Sequence, residues 1–213
     1  MHRALSTEVA SGNAILREFK RREYLPMLQD LLWKIDKGSV RTLTLHEDGT
    51  NLTLGLWGAG DIVGLPLAGI EPYQIECLSK VQAHRLRTDE CASLDQALFA
   101  HVRQSQALLS IRHGSVLGRL ERFFLWLAER FGTECAEGCR LSVQLTHQDI
   151  AEIIGSSRVT VTRMIGELER AGLIAGSNRD RLLRRDFYSP SPASLLDKRC
   201  TAHSPLENFL NIN

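Results

Sequence analysis

The chain has 213 residues, of which 43% are hydrophobic, so it is long enough for one large domain or two modest ones with a real core. Its 26 lysines and arginines nearly balance 25 aspartates and glutamates, and the formal net charge of +1 excludes a global basic field, so nucleic-acid binding would depend on a local patch. No apolar run approaches the ~20 residues of a membrane-spanning helix, and the five scattered cysteines favour a reducing cytoplasm over a disulfide framework.

The first part of the chain is predicted to consist of short antiparallel strands. Apolar and polar residues alternate over residues 42–45 and again over 52–56, and Asp48-Gly49 between them is a strong hairpin signal. A glycine-punctuated segment follows, and strand-like patterns return between residues 73 and 86. Several short strands with turns between them predict a small barrel or double-layered roll.

A long helix is predicted between residues 94 and 113, because no glycine or proline interrupts this segment. Positions spaced alternately by four and three residues form a heptad seam, which consists of Leu98, Val102, Ser105, Leu109 and Arg112. A neighbouring stripe consists of Ala97, Ala100, Gln104, Leu108 and Ile111. One stripe can pack on the roll while the other contacts an identical helix. Alternatively, both stripes face one intrachain core.

A hinge is predicted at Gly114-Ser115, with Ser115 as the N-cap of a second helix that ends at Gly132. This helix is strongly amphipathic, and its main apolar stripe consists of Leu117, Leu120, Phe124, Leu127 and Phe131. Residues 132–144 are predicted to form a loop with one short strand.

Residues 145–175 have the pattern of a helix, a tight turn and a second helix. Thr146 is a good N-cap, and Asp149 three residues later can complete a capping-box-like arrangement. Gly155 supplies the backbone freedom that a sharp turn between helices needs. The second helix is predicted to begin at a cap on Ser156 or Ser157 and to end at Gly172.

The second helix of this pair has two different faces. Its apolar residues recur at helical spacing and are predicted to be core: Val161, Met164, Ile165 and Leu168. The opposite face contains Val159, Thr162, Arg163, Gly166 and Arg170, with Arg158 in the first turn.

Two arginines near the exposed start of a helix oppose the helix dipole, so a contact with DNA explains them better than stability does. Arginine can bond guanine bidentately, threonine can contact bases or phosphates, and Val159 can touch a thymine methyl group. The alternative is a generic helical hairpin with solvated arginines.

Four arginines near a turn-like Gly-Ser-Asn are predicted to belong to a wing hairpin along the phosphate backbone: Arg179, Arg181, Arg184 and Arg185. Alternatively, they belong to a solvated charged hairpin. No structure is predicted for the proline-containing tail after Tyr188.

Catalytic motifs are missing from the sequence. It contains no G-x-S-x-G, no phosphate-binding Walker loop and no H-E-x-x-H, and its seven histidines are isolated. Cys135 and Cys139 lack a second pair or a nearby histidine, so no metal site is expected. The sequence therefore does not predict an enzyme.

These segments together resemble the Crp/Fnr family of transcription regulators over most of the chain. The resemblance is carried by KGSV at 37–40, the Asp48-Gly49 hairpin, GDIVG at 60–64, the helix at 116–132 and above all the helix-turn-helix at 146–174. Within the family, GSSRVTVTR at 155–163 and FGTECAEG at 131–138 are closest to the cyanobacterial NtcA-like type.

The resemblance implies an α+β fold with an effector-sensing β-roll of the cyclic-nucleotide-binding type at 1–93, a dimerisation helix and hinge at 94–114, a winged-helix DNA-binding domain at 115–187, and a tail at 188–213. It also implies a homodimer through the seam of Leu98, Val102, Ser105 and Leu109. Such a dimer would bind double-stranded DNA at a palindromic site with half-sites one helical turn apart, with RNA polymerase as a further partner.

The same resemblance assigns contacts to a recognition helix at about 156–171. Arg158, Val159 and Arg163 would read base edges. The expected phosphate contacts are Ser157, Thr160, Thr146 and Gln148, and Thr162 is a further DNA contact by its residue type. Members that respond to cyclic AMP have glutamate at the position of Val159, so a different half-site, nearer to the NtcA-like type, is expected.

The effector site departs from the family pattern. Cyclic-nucleotide binders carry Gly-Glu and later Arg-Ser, whereas here Leu65 follows Gly64 and Glu76 would repel a phosphate. The arginine that NtcA-like proteins use for a 2-oxo acid is also missing. The family-equivalent lining positions are Gly64, Leu65, Gln104 and Ser105.

Two hypotheses about regulation follow. Either a small effector, a cyclic nucleotide or a 2-oxo acid, binds the roll, or the dimer is competent without a ligand. The functional alternative to a DNA-binding regulator is a small-molecule sensor module that regulates a protein partner.

Overall fold

The computed structural model describes residues 9–11, 14–47, 49–177 and 180–188. The N-terminal half consists of the strands β1 (Val9–Ser11), β2 (Ala14–Phe19), β3 (Leu31–Lys37), β4 (Val40–Leu45), β5 (Asn51–Trp57), β6 (Ile62–Gly64), β7 (Gln74–Cys77) and β8 (Val81–Arg87). They form an antiparallel five-stranded sheet in the order β1-β2-β8-β3-β6 and a three-stranded sheet in the order β5-β4-β7. The predicted double-layered β-roll is therefore confirmed.

The predicted hairpin connects β4 to β5. The backbone N–H of His46 donates to the Thr50 carbonyl at 2.9 Å, which closes the turn. Gly49 has a φ of +81°, a region that favours glycine, while Asp48 lies outside the described residues. Register and turn residue thus agree with the Asp-Gly signal in the sequence.

Two helices follow the roll, α1 (Leu94–Ile111) and α2 (Val116–Phe131). Between them Gly114 has a φ of +82°, and the Ser115 side chain caps α2 by accepting a hydrogen bond from the Gly118 amide at 3.2 Å. The predicted cap is confirmed. One side of α1 is buried within its own chain through Ala97, Gln104, Leu108 and Ile111.

The prediction that Arg112 belongs to the heptad seam is wrong. Its guanidinium turns towards the chain's own body, where it donates to the carbonyls of Ile153 at 2.9 Å and Glu152 at 3.1 Å. Both carbonyls lie in the last turn of helix α3 (His147–Ile154), whose unpaired carbonyls attract a cation. The other seam residues are exposed: Leu98, Val102, Ser105 and Leu109.

The C-terminal half packs α3 and α4 (Arg158–Arg170) against a four-stranded sheet. Its strands are β9 (Gly132–Cys135), β10 (Gly138–Leu141), β11 (Ile174–Ser177) and β12 (Asp180–Arg184), followed by α5 (Arg185–Tyr188). The sheet order is β11-β12-β10-β9. The segment predicted to be a loop with one strand therefore forms a two-stranded hairpin, because β10 pairs with both β9 and β12.

One apolar core connects the two halves. Leu56 and Leu78 of the roll belong to the same buried cluster as Leu108 of α1, Phe123 of α2 and Ile154 of α3. A second cluster fills the roll itself. The position of α3 relative to the roll is thus set by packing as well as by the hinge. Among the described residues, no helix is long and apolar enough to span a membrane.

Candidate nucleic-acid interface

The first helix of the pair begins with the predicted capping box. Thr146 Oγ1 accepts a hydrogen bond from the Asp149 amide at 3.1 Å, and Asp149 Oδ2 accepts from the Thr146 amide at 2.8 Å. Gly155 ends the helix in a left-handed conformation with φ of +67°. These two signals fix both ends of an eight-residue helix, which fixes the angle at which the chain enters the second helix.

The second helix begins at Ser157, which resolves the two predicted caps. Ser157 Oγ accepts from the Thr160 amide at 3.1 Å and lies 2.9 Å from Thr160 Oγ1. The Thr162 hydroxyl donates to the Arg158 carbonyl at 2.9 Å and lies 2.9 Å from Nδ1 of His147. The hydroxyls at the start of α4 are therefore already oriented by local hydrogen bonds.

The exposed face of α4 brings together the three residues expected to read bases. Val159 is 80% exposed, the side chain of Arg163 is 68% exposed, and Arg158 is exposed beside them. Nη1 of Arg163 lies 3.9 Å from Glu167, at the limit of an ion pair. The predicted core face is buried through Val161, Met164, Ile165 and Leu168, so the two-faced helix is confirmed.

The starts of α3 and α4 meet at an open hollow of about 370 Å³ lined by Thr146, His147, Gln148 and Arg158. Gln148 is exposed there and donates to Glu152 Oε1 at 3.0 Å. Two helix N-termini and an arginine lie around one hollow, an arrangement that suits a phosphate.

Sequence reasoning missed His147, the first residue of α3. Burial, with the nearby charges of Arg181 and Arg158, lowers the pKa of His147 below its usual range. Its only sequence signal was its place directly after the N-cap of the first helix. Because the ring contacts the Thr162 hydroxyl, it joins α3 to α4 at the edge of the hollow.

The prediction that all four late arginines lie along DNA is wrong for Arg181. This side chain is only 6% exposed, its guanidinium lies over the Phe124 ring at 5.4 Å, and burial lowers its pKa. Arg184 and Arg185 are exposed, but they stand at the end of β12 away from the turn. Arg179 lies outside the described residues, as does the chain after Tyr188.

The proposed seam of α1 forms an exposed apolar surface. Leu98, Val102 and Leu109 are 44%, 54% and 64% exposed, and Ser105 lies between them on the same side. Phe99, which the seam did not include, is 67% exposed next to Leu98. Large apolar side chains grouped on one exposed helix face mark a surface that a partner can cover.

The four positions expected to line an effector site have different surroundings. Gly64 is packed so closely that a Cβ there would lie 2.6 Å from the Leu31 carbonyl oxygen, and Leu65 begins a short 3-10 turn. Gln104 is buried, and its amide donates to the Leu56 carbonyl at 2.8 Å. Ser105, one residue later, is exposed on the seam. The amide of Gln104 thus joins α1 to β5.

A tryptophan lies inside the roll next to α1. Trp57 is 1% exposed, and its indole N–H donates to the buried Thr42 hydroxyl at 3.0 Å. Its ring stacks on His101 of α1 with centroids 4.0 Å apart. Burial lowers the pKa of His101, which favours a neutral ring in this stack. Neither residue was singled out from the sequence.

Glu76, expected to repel a phosphate, is paired with two arginines of its own chain. Arg41 Nε lies 2.6 Å and Arg22 Nη1 2.9 Å from its carboxylate. Arg41 stands on β4 beside Glu76 on β7, a pairing that linear sequence does not display. In the described part of the chain, no cluster of three or more His, Cys, Asp or Glu could hold a metal ion.

Comparison with protein families identifies the same helix-turn-helix. Residues 118–187 match the Crp-like helix-turn-helix domain. The regulatory protein CysR of Synechococcus elongatus is 38% identical over 180 residues, which cover 82% of this chain and 87% of that protein. The global nitrogen regulator of a Nostoc species is 30% identical over 65% of this chain and 70% of its own length.

Solved structures show the same architecture. A CRP-family transcriptional regulator from Thermus thermophilus superposes with a TM-score of 0.68 at 25% identity and covers 83% of this chain and 95% of its own. A second regulator of the CRP/FNR family from the same organism gives a TM-score of 0.61 at 27% identity over 84% of this chain and 98% of its own. The likeness therefore includes the roll as well as the helix-turn-helix.

Proposed function

Because this chain belongs to the Crp/Fnr family of transcription regulators, we propose that it reads a palindromic DNA site as a homodimer, with α4 in the major groove. The observation that carries the proposal is the exposed face of α4. There an apolar side chain and two cations point away from the chain's own core. This face supports a role as a DNA-binding regulator.

We assign base reading to Arg158, Val159 and Arg163 and backbone contacts to the hollow. An exposed guanidinium fits the two acceptors on a guanine edge, and an exposed valine fits a thymine methyl group. The hydroxyls of Thr146, Ser157, Thr160 and Thr162, together with the Gln148 amide, stand around the helix N-termini and fit phosphate oxygens. His147 belongs to the same set by position.

The homodimer is proposed to form through α1. Its buried stripe is occupied within the chain, and its other stripe presents four side chains that are 44–67% exposed: Leu98, Phe99, Val102 and Leu109. A parallel copy of the helix would cover these side chains and place two copies of α4 symmetrically. We further propose that the dimerisation helix and hinge at 94–114 divide a roll at 1–93 from a DNA-binding domain at 115–187.

Regulation is proposed to need no cyclic nucleotide. Glu76 has its charge matched by Arg41 and Arg22, Gln104 is bonded to β5, and the bulk of Trp57 occupies the roll next to α1. A thermal-shift screen with cyclic nucleotides and 2-oxo acids tests whether regulation needs a ligand, since a ligand that binds only the folded state raises the melting temperature.

We also propose that the protein acts in the cytoplasm, with RNA polymerase as its partner on DNA.

The test of sequence reading is a binding titration against a palindromic and a scrambled duplex over a series of salt concentrations. We expect the palindrome to bind at least about 10³-fold more tightly at physiological salt, with a steep salt dependence for both duplexes. A steep salt slope with equal affinities would contradict the proposal. It would leave the sensor module, which regulates a protein partner, as the better account.

A further inference from the structure

Five charged side chains form one network between the roll and the first helix of the helix-turn-helix. The roll contributes Arg22, Arg41 and Glu76, and α3 contributes Asp149 and Glu152. Four of the five side chains are at most 16% exposed, and Arg22 is 36% exposed. Burying five charged groups costs free energy unless each has a close partner of opposite charge. The contacts therefore define one specific arrangement of these side chains.

Each of the two network arginines, Arg22 and Arg41, bridges the two halves of the molecule. Arg22 donates to Asp149 with both terminal nitrogens, at 2.7 and 3.1 Å, and to Glu76 at 2.9 Å. Arg41 donates to Glu76 at 2.6 Å and to Glu152 at 2.9 Å. Glu76 on β7 therefore orients both guanidinium groups, and both reach across to α3.

The two carboxylates of α3 also hold residues of the DNA interface. Asp149 Oδ2 accepts from the amide and the hydroxyl of Thr146, both at 2.8 Å. Glu152 accepts from the Gln148 amide through Oε1 and from Arg41 through Oε2. A continuous chain of hydrogen bonds thus runs from the roll to two of the proposed DNA contacts.

The backbone of Arg22 supports a dedicated role. Its φ of +70° is the one left-handed non-glycine conformation among the described residues. The Arg22 N–H donates to the Cys77 carbonyl at 2.7 Å, and Tyr24 forms an isolated antiparallel β-bridge with Glu76. The segment is therefore fixed against β7. A conformation that L-residues rarely adopt persists only where the surroundings impose it, and here it accompanies a guanidinium that reaches α3.

We infer that Arg22 and Arg41 are positioning residues for DNA recognition, which hold α3 on the roll and orient Thr146 and Gln148 through Asp149 and Glu152. This inference rests on the proposed function, because it assigns the network to the same interface. The roll and the DNA-reading surface then form one rigid unit, and a change in the roll at β4 or β7 would be transmitted to the protein–DNA contacts.

The principal test uses Arg22→Ala, because Arg22 is the most exposed member of the network. Its loss leaves Arg41 close to the two carboxylates that Arg22 contacts, Glu76 and Asp149. The matched control is Arg21→Ala, which removes the same charge from a neighbouring residue whose Nε donates to the Leu78 carbonyl of the roll at 2.9 Å. Affinity for the palindrome and hydrogen exchange of the α3 amides, with and without DNA, are measured for both variants and the unaltered chain.

We expect Arg22→Ala to weaken binding to the palindrome about tenfold and to speed amide exchange in 147–154, with exchange in the roll strands unchanged. Arg22→Lys should restore part of both properties, because one ammonium can keep one of the contacts to Asp149. Arg21→Ala should resemble the unaltered chain. If Arg22→Ala matches Arg21→Ala in affinity and in α3 exchange, the inference is overturned.

A second variant keeps the inference testable if Arg22→Ala does not fold. Glu152→Gln keeps the shape of the side chain but removes the charge that faces Arg41, and we expect the same faster exchange and weaker binding. Unchanged values for this variant would also contradict the inference. If the unaltered chain showed no preference for the palindrome, the proposed function would be refuted. The exchange experiment would still report on the network.

Discussion

Arginines at the surface of α4 and arginines at the joint between roll and α3 have opposite surroundings. Arg158 and Arg163 are exposed, and the carboxylate near Arg163 lies 3.9 Å away. Arg41 and Arg22 touch carboxylates at 2.6 to 2.9 Å in a network whose other side chains are at most 16% exposed, apart from the half-buried Arg22. Arginine is therefore exposed and available to a partner in one place, and is bonded to carboxylates of its own chain in the other.

The comparison teaches that cation count alone does not locate a DNA interface. Arg181 and Arg112 stand in sequence among candidate surface residues, yet both turn inwards, to an aromatic ring and to helix carbonyls. A cation that is buried within the chain or already bonded to helix carbonyls has little left to offer a phosphate. A candidate DNA interface is instead located by exposed cations that have few acceptors of their own chain nearby.

The largest expected effect separates the two classes by stability. Arg41→Met leaves Glu76 and Glu152 without their buried partner, so the free energy of unfolding should fall by about 3–5 kcal/mol. Chemical denaturation measures it. The control, Arg163→Met on the exposed face, should change the free energy of unfolding by less than about 0.5 kcal/mol. Equal losses for the two variants would show that the distinction between buried and exposed arginines is mistaken.

The second prediction concerns the exposed apolar stripe of α1. Leu109→Glu places two like charges against each other in the proposed helix pair, so the dimer should dissociate to monomers at micromolar concentration. Sedimentation velocity measures the mass, and Gln96→Glu on the same helix but outside the stripe is the control. An unchanged dimer mass in Leu109→Glu would place the contact between copies elsewhere.

The third prediction concerns the exposed cations. Arg163→Ala should weaken binding to the palindrome by about 1–3 kcal/mol and relax the choice at one base pair. Arg170→Ala, at the opposite end of α4, should leave the base preference intact. If Arg163→Ala reduced affinity for palindromic and scrambled duplexes equally, Arg163 would be a phosphate contact.

The smallest expected effect is a pH dependence from His101. Burial lowers the pKa of His101 in the folded chain, so the unfolded chain binds more protons below the ordinary value of 6.5. Stability should therefore be full above that pH and fall as the pH decreases through 6.5 towards the folded value. Denaturation at several pH values should show a flatter profile for His101→Gln, and an unchanged profile would exclude His101 as a source of this dependence.

Local features of the fold could be predicted because their signals are close together in the sequence. The cap of Thr146 and Asp149, the left-handed Gly155 and the two-faced α4 each depend on residues within one or two turns. The Asp-Gly hairpin depends on neighbouring residues in the same way. These elements are determined by local backbone preferences and by the 3.6-residue period.

The joint between the halves could not be predicted because its partners are distant in the chain. Arg22 and Asp149 are 127 residues apart, so nothing in either local pattern points to the other. The sequence alone predicts that Glu76 repels a phosphate, because its arginine partners stand on other segments. Arg112 fits the heptad spacing, but the carbonyls at the end of α3 accept hydrogen bonds from its guanidinium, and an apolar helix seam cannot.

The most direct test of the central claim is selection of duplexes from a randomised pool by the unaltered chain, followed by sequencing. The account predicts a two-fold symmetric consensus whose half-sites are about 10 base pairs apart, centre to centre. The same selection with the double variant Arg158→Ala, Arg163→Ala should lose the consensus at the positions these side chains read. A pool without symmetric enrichment, or an unchanged consensus in the double variant, would contradict the claim that the exposed face of α4 reads DNA.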